Sequence, residues 1–392
     1  MNYTSHIVAL RNLRKISRRE LLAAFAAAPA GMRAAELPVA PVAVARCGSY
    51  AEDQAALLRG MFDQLGGLGA LVKNKTVTVK LNLTGSPALR LQGRPLGSTH
   101  YSHPAQIGAF VRLLGEAGAR RIRLVESGYG TVGPLDEYML DSGWNVRAIR
   151  NAAPGVELIN TNGLTVKGRY ARRKVPGRGF VFPSYMLHPA YEETDVMVSM
   201  AKLKDHATCG VTLAMKNMFG ITPASIYGDD AGKDEPNERP TKGRVDVCHS
   251  GKRQPSRIAE GELHPEESRD QGYRMPRITA ELVAARPIDV SIIDGIETMA
   301  GGEGPWIRDH WRGALRAVKP GLMVVGTNPV STDTVATALM GYDPRAPKGQ
   351  GAFRDCDNTL LLAEQMGIGA AALKRIEVRG GRIEDLMFRF TA

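Results

Sequence analysis

The hydrophobic positions of this chain fall into short runs of two kinds, and their periods predict alternating strands and helices. Val196, Met197 and Val198 form an apolar, β-branched run between polar neighbours, the pattern of a strand buried on both faces that ends near Met200. The following VTLAMKNMFG fits a short helix closed by Gly220, where a left-handed backbone is tolerated. Earlier, Leu57, Leu58, Met61 and Leu65 have helical spacing, stopped by Gly66 and Gly67. In TVTVKLNL, Val77, Val79 and Leu81 alternate as in a strand, leaving Lys80 and Asn82 at its carboxyl end. Pro104 opens a helix with the stripe Ile107, Phe110, Val111 and Leu114, and RIRLVES is the next strand, ending in Glu126 and Ser127. Strand, helix and strand with short links make a parallel crossover. The last third repeats this logic. Ile288 to Gly295 and Leu322 onward read as buried strands, and the second leads to a helix capped by Ser331 or Thr332, with Asp333 in its first turn. The expected fold is therefore α/β, a mostly parallel sheet with helices on both faces.

Two segments break the pattern. Between Thr165 and Phe182, Lys167, Arg169, Arg172, Arg173, Lys174 and Arg178 surround a glycine-rich tip, which reads as a basic hairpin with a solvated edge. Residues 227–274 are polar and turn-rich, with His249 and His264, and read as an insertion or lid.

The first 35 residues stand apart from the fold. A basic stretch ends in Arg18 and Arg19, followed by an apolar, alanine-rich run to Ala30 and small residues to Ala35, the order of a twin-arginine export signal. The run is only about ten residues against the roughly 20 a membrane span needs, so no stable membrane anchor is expected. The expected partner is the twin-arginine export machinery and the expected location periplasmic, with residues 36–392 forming one α/β domain.

Composition narrows function. The 392 residues are 43% hydrophobic, enough for a substantial core. The leading segment carries six basic residues and one acid, so the formal charge of +11 falls to +6 without it. With no long basic tract and 6% aromatics, nucleic acid is a poor partner, and anionic small molecules or cell-surface polymers remain reasonable ones. Cys47, Cys209, Cys248 and Cys356 are far apart and contain no Cys-x-x-Cys, so no ferredoxin-type iron–sulfur cluster is expected, and any disulfide pairing is open.

The chemistry concentrates after the strand at Val196. Lys202, Lys204, Asp205 and His206 follow within a few residues, and Thr212 and Lys216 share a helical face four residues apart. Lys216 sits in a run that is apolar almost all round, so it calls for a buried partner. Lys80, Asn82, Glu126, Lys202, Lys204, His206 and Asp294 all follow β runs, and a parallel sheet gathers such ends into one crevice. The expectation is an anion bound through Lys80, Lys202, Lys204 and Lys216, with Asn82, Thr212, Asn217 and Asp333 as further cofactor-binding candidates and Lys216 also among the catalytic ones. His206 would act as acid/base or metal ligand, and Asp294, Glu303 or Asp333 as base or ligand. Like charge from the lysines favours a neutral His206.

Four segments resemble a known family: VKLNL at Val79, AKLKDHATCGVTLAMKNMFG at Ala201, IDGIETMAGGEGP at Ile293 and GTNPVSTDTVATALMG at Gly326. In that order, together with EAGARRIRLVES, they are similar to the domain of unknown function 362 (DUF362). The resemblance implies an α/β domain and little chemistry. Many members carry a ferredoxin-like cysteine cluster, which this sequence lacks. The spacing of His206, Gly210 and Lys216 is also similar to that of the nickel-pincer lactate racemases, which implies a divalent transition metal or organometallic cofactor; His206 and Asp294 are the candidate metal ligands of this chain. Two functions compete: an exported enzyme acting on an anionic carboxylate or phosphate, and a non-catalytic binding protein for such a ligand.

Overall fold

The computed structural model describes residues 37–164, 169–307 and 314–390. The leading segment with Arg18 and Arg19 lies outside them, as does Lys167 of the basic stretch. In chain order the strands are β1 (Val42–Arg46), β2 (Thr76–Lys80), β3 (Arg121–Glu126), β4 (Val156–Asn160), β5 (Ala171–Lys174), β6 (Ser184–Leu187) and β7 (Val196–Lys202). They continue with β8 (Asp205–His206), β9 (Gly210–Val211), β10 (Val290–Gly295), β11 (Thr298–Ala300), β12 (Arg316–Val318), β13 (Leu322–Gly326) and β14 (Val378–Arg379). The helices that matter here are α1 (Gln54–Gln64), α2 (Pro104–Glu116), α3 (Leu213–Asn217), α4 (Gln271–Ala285), α5 (Pro329–Leu339) and α6 (Thr359–Gln365).

Eight strands form one sheet in the order β14-β1-β13-β10-β7-β2-β3-β4. From β10 to β4 every neighbour is parallel, and β13 runs antiparallel to β10 and to β1. The carboxyl ends of β2, β3, β7 and β10 therefore share one edge. Alternation sends successive side chains to opposite faces. Val77, Val79, Val198, Met200 and Ile292 meet Leu58, Phe62, Phe110 and Leu114 of α1 and α2 on one face. Met197, Ala201, Ile293 and Val324 meet Leu213, Met215, Ile278 and Leu339 of α3, α4 and α5 on the other. Helices cover both faces, as a parallel sheet requires.

Local signals act largely as the sequence implies. Asp53 caps α1 through the amides of Ala55 and Ala56, and Pro104 opens α2 behind the cap His103. Three details differ. β7 runs on to Lys202, beyond the end expected near Met200. The cap of α5 is Asn328, whose side chain accepts from the Ser331 amide, in place of Ser331 or Thr332. Gly220 has no positive φ; it lies in a 3-10 turn continuing α3, and a Cβ there would stand 2.7 Å from Lys80 Nζ and 3.0 Å from Glu126 Oε1. Its glycine answers a close approach rather than a left-handed cap.

Antiparallel β5 and β6 make the basic hairpin, where Arg172 pairs with Glu260 at 3.1 Å and Arg173 with Glu192. The insertion is mostly irregular and tied down: Glu262 holds Arg269 at 2.6 Å and Arg274 at 2.8 Å, and Tyr227, Val247 and Cys248 are buried. All four cysteines are buried free thiols. No helix among the described residues is long and apolar enough to cross a membrane.

Candidate functional site

A cavity of about 90 Å³ opens at the carboxyl edge of the sheet, on the face covered by α3. One water needs roughly 10–15 Å³, so the space suits several waters or a small anion. Strand β2 brings Lys80 to its floor and Asn82 just beyond. The segment after β7 brings Lys204 and His206, and α3 brings Thr212, Lys216 and Asn217. The glycine loop after β11 brings Glu303.

Lys80 is the most tightly held. Its ammonium lies 2.5 Å from Glu126 Oε1, with both side chains almost fully buried, and donates to the Leu81 carbonyl at 2.7 Å. Glu126 also accepts the amides of Leu83 at 2.7 Å and Ser127 at 2.8 Å. Asn217 braces this pair by donating to the Lys80 carbonyl at 3.2 Å and Ser199 Oγ at 3.0 Å. Lys204 donates to the carbonyls of His100 at 2.9 Å and Glu303 at 3.0 Å; burial first, offset in part by Glu303, leaves its pKa pushed down to about 7. Asn82 Oδ1 has no partner among the described residues.

His206 is fixed by the two-stranded ribbon β8–β9, whose turn uses Gly210 at φ +78°. The ribbon is stitched to the glycine loop twice: Asp205 accepts the Gly301 amide at 2.9 Å, and Glu303 accepts the Ala207 amide at 3.0 Å. Burial above all, then Lys216, His249 and Lys204, hold the His206 pKa well below its ordinary value, so the ring is neutral. Its Nδ1 accepts the Thr208 amide at 3.2 Å. A neutral imidazole with an accepting Nδ1 carries its proton on Nε2, so His206 offers the cavity an N–H donor.

Lys216 is buried beside Phe219, with Nζ 4.3 Å from the ring centroid, and has no oxygen acceptor within hydrogen-bond distance among the described residues. Leu213, at the start of α3, takes φ +43°, uncommon for a side chain of its size, so the turn that aims Lys216 is held by its surroundings.

Two expected members stand elsewhere. Lys202 is in register with Asp294 on β10, and Lys80 is in register with Ser199. Ser199 and Lys202 are three apart on one strand, an odd step, so they project to opposite faces. Lys202 and Asp294 accordingly pair at 2.8 Å on the α1–α2 face, with the Tyr50 hydroxyl 2.9 Å from Asp294 and the Gly97 carbonyl accepting from Lys202. The expectation that His206 and Asp294 share a metal fails for this reason. The chemistry of the donor set agrees: a metal-bound imidazole gives its other N–H away, whereas His206 accepts there, and cations surround it. Among the described residues no group of three or more His, Cys, Asp or Glu is placed to hold a metal.

Asp333 also leaves the cavity. From α5 it accepts the amides of Ala214 and Met215, both at 2.9 Å, and so caps α3 from a distant helix; burial pushes its pKa up to about 7. Sequence reasoning missed Arg244. The insertion carries it into the cavity wall, where Nε donates to the Thr222 carbonyl at 2.7 Å and the guanidinium reaches Asn162 Oδ1 at 3.3 Å. No local motif marks this arginine among the many of a polar segment.

Residues 77–338, which contain every cavity residue named above, match the family described as "Domain of unknown function (DUF362)". A thylakoid-associated protein of Synechocystis sp. is 25% identical over 311 residues, covering 78% of this chain and 76% of that protein. A crystal structure of a Thermotoga maritima protein aligns with TM-score 0.33 and 14% identity over 63% of this chain; the alignment spans 50% of that chain's length.

Proposed function

The chain belongs to the domain of unknown function 362 family, and we propose that this member is an exported enzyme acting on a small carboxylate or phosphate bound in the cavity. The observation that carries the reading is a charge imbalance. Among the described residues that line the cavity, Lys80, Lys204 and Arg244 face only Glu126 and Glu303, and Glu126 is occupied by Lys80. In such a cavity surplus cations favour an anion more than they would in water. Arg244 and Lys204 supply charge, the His206 Nε2–H supplies a directed donor, and the Glu303 carboxylate is the base placed against the ligand. Export rests on Arg18 and Arg19 ahead of the apolar run to Ala30.

A second reading, a non-catalytic binder of the same anion, gains from the position of Asp294. Its pairing with Lys202 leaves Glu303 as the cavity acid with no ion pair among the described residues. Glu303→Gln separates the two, because it abolishes turnover in an enzyme and spares binding in both.

Anion binding is tested by calorimetric titration with phosphate, pyruvate and lactate. Arg244→Met should weaken the bound anion by about 2 kcal/mol or more, roughly thirtyfold in affinity. Because the anion favours protonated Lys204, binding at pH 8 should also take up protons from buffer. Affinity indifferent to Arg244→Met, or no binding of any of the three, would remove the reading.

A further inference from the structure

We propose that Lys216 is a nucleophilic amine that condenses with the carbonyl of a small oxo acid held in the cavity. The inference deepens the anion reading and rests on it, because Arg244 and Lys204 are what would hold the carboxylate.

Four buried lysines stand at this edge of the sheet, and three are tied to oxygen. Lys80 has Glu126 and the Leu81 carbonyl. Lys202 has Asp294, Tyr50 and the Gly97 carbonyl. Lys204 has the carbonyls of His100 and Glu303. Lys216 has the face of Phe219 and no oxygen acceptor among the described residues. An amine not spent on a wall carbonyl or carboxylate can turn to a bound ligand, and once deprotonated it keeps its lone pair for attack. Burial first pushes the Lys216 pKa below its ordinary value, and Lys80 and Arg244 push the same way against Cys209 and Glu303. Charge alone would be served by a lysine bonded to the ligand and to the wall. Phe219 instead seats the nitrogen on its ring face, which leaves the lone pair of the deprotonated amine unengaged.

The neighbours suit the step. Nζ attacks the carbonyl carbon while the His206 Nε2–H hydrogen-bonds the carbonyl oxygen. The C–N bond forms, and one N–H proton passes to the Glu303 carboxylate. Glu303 returns that proton to the alkoxide, giving the carbinolamine; it then takes the second N–H proton as the C=N bond forms and gives it to the hydroxyl, which leaves as water. The net change is amine plus carbonyl to imine plus water, with no outside oxidant or reductant.

Incubation of the purified protein with pyruvate and sodium cyanoborohydride at neutral pH, followed by peptide mass mapping, tests this. The expected result is one carboxyethyl group on Lys216, suppressed by lactate, which offers the same carboxylate without a carbonyl. Lys216→Arg should retain lactate binding and lose the adduct, showing that the folded site persists. If lactate and pyruvate bind but modification falls on Lys204, on exposed lysines or nowhere, the nucleophile is wrong and the anion reading stands. If neither anion binds and lactate fails to suppress labelling, the anion reading falls as well.

Discussion

Removing Lys80 should damage the fold more than the ligand affinity, which distinguishes a scaffold cation from a binding one. Lys80→Met leaves Glu126 buried, with the amides of Leu83 and Ser127 but no cation. Breaking one side of a buried ion pair costs about 3–5 kcal/mol, because the remaining charge is uncompensated. With an unfolding entropy of about 2.1 cal/mol/K per residue over roughly 350 residues, that loss lowers Tm by about 4–7 °C. Lys80→Met combined with Glu126→Gln removes the orphaned charge and should recover at least half of the loss. Differential scanning calorimetry of the two single variants and the double variant gives the cycle, and phosphate titration of the double variant gives the functional half. Its affinity should stay within about threefold of the parent, since Lys80 and Glu126 leave the cavity together and the surplus charge is unchanged. A double variant as unstable as Lys80→Met, or one that loses anion binding as Arg244→Met does, would refute the assignment of Lys80 to the scaffold.

Gly220→Ala would press a methyl against Lys80 Nζ and Glu126 Oε1, and should cost about 1–3 kcal/mol in thermal unfolding, most of it absent from the Lys80→Met background. Burial pushes the carboxyls of Glu281 and Asp333 up to about 7. A raised folded pKa contributes stability that is full below the unfolded value, near 4.5 for Glu281, and is lost as pH rises through about 7; buried neutral histidines such as His206 act in the opposite direction, so the comparison is between parent and Glu281→Gln, and the parent should lose on the order of 3 kcal/mol more than the variant from pH 5 to pH 8. A difference of opposite sign, or none, would contradict the burial argument. Arg18→Lys with Arg19→Lys should leave the protein in the cytoplasm at unreduced size, seen by fractionation and immunoblotting; export unaffected by the pair removes the signal.

Much of the architecture was legible because strand and helix periods are local. Val77 and Val79, or Ile107, Phe110, Val111 and Leu114, announce their element and its buried side without reference to the rest of the chain. The parallel rule then places the ends of β2, β3, β7 and β10 on one edge, so Lys80, Lys204, His206 and Lys216 could be gathered from sequence alone. What only the tertiary structure decided is which of these groups face one another. Lys202 and Asp294 went to the far face because Lys202 lies an odd step of three positions from Ser199, the register partner of Lys80, and register is a property of two strands together. Asp333 became the cap of a helix more than a hundred residues away, and Arg244 entered the cavity from an irregular insertion with no periodicity to read. The tautomer of His206 depended on the amide of Thr208, and Gly220 on the closeness of Lys80 and Glu126. Each of these is a contact made in three dimensions, and a one-dimensional pattern carries the residues for it without the distances.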